Sequence, residues 1–136
     1  MISTVTNLGH LQFMVFRERF TGGVFIRFLR RLIRQAKRPV YLIGDGHPVH
    51  KAILVKTWLQ AHAKEIRMFL LPGYSPELNP DELLNNDVKA NAIGRRRPHN
   101  LAEMEADARA YLRNRQRQPQ VVRNYFMEEH VRYAAT

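Results

Sequence analysis

Two carboxylates in this 136-residue chain stand where a fold could turn them into a metal site. Asp45 ends the apolar stretch in VYLIGDGHPVH (residues 40–50), and Glu82 closes LPGYSPELNPDE (residues 71–82). Each motif reads as a buried strand running into a turn rich in Gly and Pro, so each delivers one acid to the same edge of a sheet. Two such acids at one edge are the makings of a metal site. A helix start would also favour Asp81 and Glu82, because the helix dipole attracts negative charge there. His47 and His50 beside Asp45 suggest zinc, but Pro48 lies between them and a third protein ligand is missing.

The elements that must position these acids alternate along the chain. Residues 2–6 and 11–16 read as strands joined around Gly9, a hairpin. Val24, Phe25, Phe28, Leu29, Leu32 and Ile33 form one stripe of a helix that carries Arg27, Arg31, Arg34 and Arg38 on its other side and stops at Pro39. The continuous apolar run 40–43 is a strand expected to be covered on both faces. Pro48 suits the first turn of a helix pointing Ala52, Val55, Trp58, Leu59 and Ala63 inward, and 66–71 is the next strand. Tyr74 and Ser75 read as turn formers. Asn79 and Pro80 make an N-cap and a first-turn proline for a helix over 80–92 that ends near Gly94. Asp81 sits about 100° around that helix from Glu82, so the two cannot face one ion, and Asp81 reads as a helix-start acid. A last helix from about residue 100 shows Leu101, Met104, Ala108, Tyr111 and Leu112 on one face and breaks at Pro119.

Composition sets outer bounds. The absence of cysteine excludes disulfides and thiolate zinc sites, and no apolar run approaches the roughly 20 residues of a membrane span, so a cytoplasmic protein is expected. Charge is uneven: residues 1–44 carry eight Lys or Arg and one acid, 45–94 five and six, and 95–136 nine and five, which sum to the net +10. A basic body around an acidic middle attracts a polyanion, and the acids in the middle need cations to approach a phosphate. Nucleic acid is the expected partner. Arg31, Arg34, Lys89 and the run Arg95, Arg96 and Arg97 are the candidate phosphate contacts.

Asp45, Gly46, His50 five positions past the Asp, then LP, YSP, LNP and the Glu two after Pro80 carry a resemblance to the catalytic domain of DDE transposases, in particular mariner-related bacterial insertion-sequence enzymes. The 36 residues between Asp45 and Glu82 are close to that family's spacing of its second and third acids. The resemblance implies an α/β, ribonuclease H-like mixed sheet with flanking helices. It also implies metal-dependent DNA strand cleavage and joining with two Mg2+ ions, bound here by Asp45 and Glu82. His50 would orient Asp45, and Asn79 and Pro80 would aim Glu82. Oxygen ligands suit magnesium, and paired ions stabilise both attacking and leaving oxygens.

The family's first acid comes from the first, central strand, upstream of the hairpin. Residues 1–44 offer only Glu18, between Arg17 and Arg19. The expectation is therefore an N-terminally truncated core over 1–94 that lacks the central strand, with a basic helical extension over 95–136 packing on it. Such a chain would bind magnesium weakly, be inactive alone and depend on an upstream transposase segment or a homo-oligomer. The competing readings are a noncatalytic DNA-binding or regulatory transposase fragment and an unrelated metal-dependent nuclease.

Overall fold

The N-terminal hairpin forms as the sequence predicts: β1 (Ile2–Val5) pairs antiparallel with β2 (Leu11–Met14), Ile2 opposite Met14 and Val5 opposite Leu11. The structure, a computed structural model, describes residues 1–73 and 75–135, so Tyr74 lies outside the described residues. In the turn, Thr6 accepts from the Gly9 N–H at 3.0 Å through its carbonyl and from the His10 N–H through its hydroxyl. Gly9 has φ +93°, and a Cβ there would fall 2.5 Å from the Pro119 carbonyl oxygen. Both constraints demand glycine.

The chain divides into two units, Met1–Val15 with Glu77–Thr136, and Phe16–Pro76. In the first, helix α3 (Asp81–Asp87) passes into a π-helical turn (Val88–Ile93) and a last helical turn α4 (Gly94–Arg96). This run continues past Gly94, where the sequence predicts a stop. Gly94 keeps helical dihedrals, and the chain turns instead at Arg97, with φ +49°, ahead of Pro98. Helix α5 (Leu101–Gln116) starts at an Asn100 side chain that accepts from the Glu103 N–H at 2.8 Å, while Glu103 accepts from the His99 N–H. Helix α6 (Pro119–Tyr125) begins at the predicted proline.

Leu84, Val88 and Ala92 pack with Ala108, Leu112, Val122 and Leu11 into one core. Leu101, expected on the apolar face of α5, is exposed because that face begins with the half-buried Met104, one turn into the helix.

Asp87, at the end of α3, ties these helices together. Its carboxylate accepts from Asn91, from the hydroxyls of Tyr111 and Tyr125, and from Arg115 Nε at 3.0 Å. Arg115 also lies 4.7 Å from the Tyr111 ring centroid. Burial resists ionisation of Asp87, but the donors from Tyr111, Tyr125, Arg115 and Asn91 outweigh it and bring its carboxyl from 3.8 down to about 2.

In the second unit, α1 (Gly22–Gln35) is capped by Thr21 and buries Val24, Phe25, Ile26, Phe28, Leu29 and Leu32, close to the predicted stripe. It packs on α2 (Ile53–Ala61), which buries Val55 and Trp58. Ala63, predicted to point inward, lies beyond the end of α2 and is exposed. Trp58 stacks on His62 with centroids 4.0 Å apart. β3 (Val40–Gly44) and β4 (Ile66–Leu70) pair in parallel, Val40 opposite Ile66 and Gly44 opposite Leu70.

Two expectations fail here. The strands do not join one mixed sheet; among the described residues they form two separate two-stranded sheets. Nor is the apolar run of β3 covered on both faces: Tyr41, Ile43 and Phe69 share one face of the ribbon and are 69%, 49% and 51% exposed. Parallel strands are apolar on both sides because they are built to lie between two layers. Here the second layer does not reach that face.

The Asp87 network makes a checkable contribution to stability. Asp87→Ala should destabilise the protein by about 2–4 kcal/mol in urea unfolding, because it strands Arg115 and two half-buried phenols. The folded carboxyl lies below its unfolded value. Its contribution is therefore complete above about pH 4 and disappears as the pH falls towards 2, so the wild-type and Asp87→Ala midpoints should converge over that range.

Candidate functional site

Asp45 stands directly after β3 in the second unit, with one oxygen held. Oδ1 accepts from the His47 N–H at 3.0 Å, which closes a tight turn on the strand end. His50 Nδ1 lies 3.0 Å from the Asp45 carbonyl oxygen and 3.2 Å from Oδ1. A ring nitrogen facing two acceptors must carry the proton, so His50 is a donor and orients Asp45. Asp45 Oδ2 makes no hydrogen bond among the described residues, and the side chain is 39% exposed.

The packing explains how His50 reaches that position. It follows from the 3-10 turn Pro48–Lys51 and sits 4.6 Å, centroid to centroid, from Phe25 of α1, with Phe20 on another side. A Cβ on Gly44 would meet His50 Nδ1 at 3.3 Å, so the glycine that interrupts the apolar run clears space for the imidazole. His47 Nδ1 accepts from the Val49 N–H at 3.1 Å and is therefore occupied as a cap, which disfavours the zinc alternative. Beyond β4, the Leu71 N–H donates to the Gly44 carbonyl at 2.7 Å, and the Gly73 carbonyl oxygen would lie 3.2 Å from a Cβ on Gly46. The loop that opens the second motif thus lies against the Asp45 turn. Ser75 Oγ donates to the Pro72 carbonyl at 3.0 Å, the turn-forming contact predicted for it.

Glu82 belongs to the first unit. Asn79 Oδ1 accepts from the Asp81 N–H at 3.1 Å, and Pro80 already has helical dihedrals, so Asn79 acts as the cap and Pro80 opens the first turn. The two acids at the helix start then diverge. Asp81 Oδ1 accepts from Ser3 of β1 at 2.7 Å and anchors the helix to the hairpin. Glu82 is half-buried; its N–H donates to the Asn79 carbonyl at 3.1 Å, and its carboxylate makes no hydrogen bond or ion pair among the described residues. The two acids at the helix start thus differ in their contacts.

Sequence reasoning missed Asp87 as the organiser of this unit, because its partners lie four, 24, 28 and 38 positions away. It also gave no role to Phe20 and read Phe25 only as part of the helix stripe, whereas both rings pack on His50.

The basic candidates are exposed. Arg31 and Arg34 lie on α1 in the second unit, while Lys89, Arg95, Arg96 and Arg97 lie in the first. Arg96 Nη1 approaches Asp107 at 3.7 Å. Both carboxylate half-sites suit a divalent cation, since each offers hard oxygen that the protein does not consume: Oδ2 of Asp45 and the carboxylate of Glu82.

The paired strands and the helices around them make this a mixed α/β protein. The family model described as DDE superfamily endonuclease matches residues 1–105, and the chain belongs to that family. Members of this class act on DNA through transposase-type cleavage and generally use divalent metal ions. No curated protein and no solved structure matches the chain. No helix among the described residues is long and apolar enough to cross a membrane.

The cap geometry predicts that Asn79→Ala lowers stability by about 0.5–2 kcal/mol, while Asn79→Asp or Asn79→Ser retains most of it. Urea unfolding of the three variants checks this, and equal losses in all three would rule out the cap.

Proposed function

We propose that this chain contributes two carboxylates, Asp45 and Glu82, to the three-carboxylate DNA-cutting and joining site of a ribonuclease H-like, mariner-related insertion-sequence transposase of the bacterial cytoplasm. The observation that carries the reading is the family match together with the state of the two acids: Asp45 is oriented by His50 with Oδ2 left open, and Glu82 leaves its capped helix without a partner. Asp45 and Glu82 would hold Mg2+, which supplies a Lewis acid for the scissile phosphate and for the attacking and leaving oxygens. This chain's own residues do the rest. His50 keeps one Asp45 oxygen turned inward, Asn79 and Pro80 fix the helix entry that carries Glu82, and Arg31, Arg34, Lys89 and Arg95 to Arg97 hold phosphates.

The third acid comes from another polypeptide segment. Glu18, the one acid before Asp45, gives its carboxylate to Arg27 at 2.8 Å and is spent as an exposed ion pair.

Magnesium-dependent nicking of a supercoiled plasmid tests this reading. The chain alone should stay near background, and adding the polypeptide encoded just upstream should restore nicking. Asp45→Ala and Glu82→Ala should each reduce the restored rate by at least about 100-fold. His50→Ala should reduce it less, with His50→Gln partly recovering the loss. Nicking by the chain alone that survives both acid substitutions would eliminate the assignment. Salt-sensitive DNA binding without any rescue would instead support a noncatalytic fragment.

A further inference from the structure

We propose that the outer face of α1 is a sequence-independent docking face for the phosphate backbone of duplex DNA, built from Arg27, Arg30, Arg31 and Arg34. The ligand class rests on the family reading above; the face itself rests on the geometry of one helix. At 100° per residue these four arginines fall within an arc of about 100° and span about 10 Å of helix, opposite the buried Phe25, Phe28, Leu29 and Leu32. All four are exposed, and Lys37 and Arg38 extend the positive charge beyond the helix end.

A merely solvated helix face would be expected to mix signs. Residues 22–35 contain no acid at all, and the arginine pairs 27/30, 27/31 and 30/34 repel one another at three- and four-residue spacing. Among the described residues Arg30, Arg31 and Arg34 form no ion pair, and Arg27 holds only the exposed Glu18. The residue type is selective too. Of the chain's 22 basic residues 17 are Arg, and every basic position on this helix is Arg, whose planar fork binds phosphate in two-point fashion where lysine offers a point charge. A row of guanidiniums, three of the four without an ion pair, on a helix locked by a full apolar face is matched by a rigid, regularly charged polyanion. Duplex DNA is such a partner.

Fluorescence anisotropy with a short random-sequence duplex in EDTA isolates this face from metal chemistry. Relative to wild type, the Arg30→Gln/Arg31→Gln/Arg34→Gln chain should bind at least about tenfold more weakly at moderate salt. The slope of log K against log salt should shrink by about 2–3, and Arg31→Gln alone should shrink it by about 1. An equal charge removal on α5 and its C-cap, Arg109→Gln/Arg113→Gln/Arg117→Gln, should weaken binding clearly less. Glutamine removes repulsion from an exposed helix face, and circular dichroism confirms that each variant is folded. Equal losses for the two triple variants would reduce the effect to net charge and overturn the proposal. So would no duplex binding by wild type, or competition by polyglutamate as effective as by DNA. Asp45→Ala and Glu82→Ala are read for restored nicking. If they lose restored nicking while the α1 variant binds normally, the catalytic reading stands and this face falls; the reverse pattern removes the catalytic reading and leaves the face.

Discussion

The first unit depends on one carboxylate. Asp87 closes α3, the helix that carries Glu82 in its first turn, and it collects donors from the π-helical turn and from α5 and α6. Burial alone would favour protonation of this group, yet four donors keep it ionised, so the network is self-consistent only when complete. Around it Leu84, Val88 and Leu112 give up water-exposed area without choosing a register; the Asp87 contacts choose one. Because α3 is fixed at its C-terminal end by Asp87 and at its N-terminal end by Asn79 and the Ser3–Asp81 bond, the direction in which Glu82 leaves the helix is held from both sides.

What could be read from the sequence followed local chemistry. The hairpin, the α1 stripe, the Asn79 cap and the proline that opens α6 all depend on residues a few positions apart, and all appear. The Asp45 half-site was legible for the same reason: His47 and His50 lie two and five residues from the acid they contact. What failed depends on distant partners. The run VYLI encodes two apolar faces but not the layer that would cover the second, so Tyr41 and Ile43 end exposed. The strand pattern likewise does not encode which strands become neighbours, and one predicted sheet is two. Gly94 looked like a helix stop, but its helical dihedrals and the π-helical turn before it let the helix run on to Arg96.

The site and the surface divide the electrostatic work. An acid pair can approach a polyanion only with cations in attendance, and the chain surrounds its acidic middle with basic segments on both sides in sequence. Arg115 shows that not every basic residue belongs to that surface: it is only 22% exposed and consumed by Asp87, whereas Arg109 and Arg113 on the same helix face solvent. Net charge therefore overstates the number of cations open to a ligand.

The uncovered face of the β3–β4 ribbon has a colloidal consequence. Tyr41 and Phe69 stack at 6.4 Å and, with Ile43, present an apolar plane on a molecule whose net charge of +10 keeps copies apart. Salt shortens the reach of that repulsion from about 30 Å at 0.01 M to about 8 Å at 0.15 M and leaves the apolar attraction intact. Dissolved ions thus weaken the repulsion that keeps copies apart while leaving the apolar plane of the ribbon unchanged.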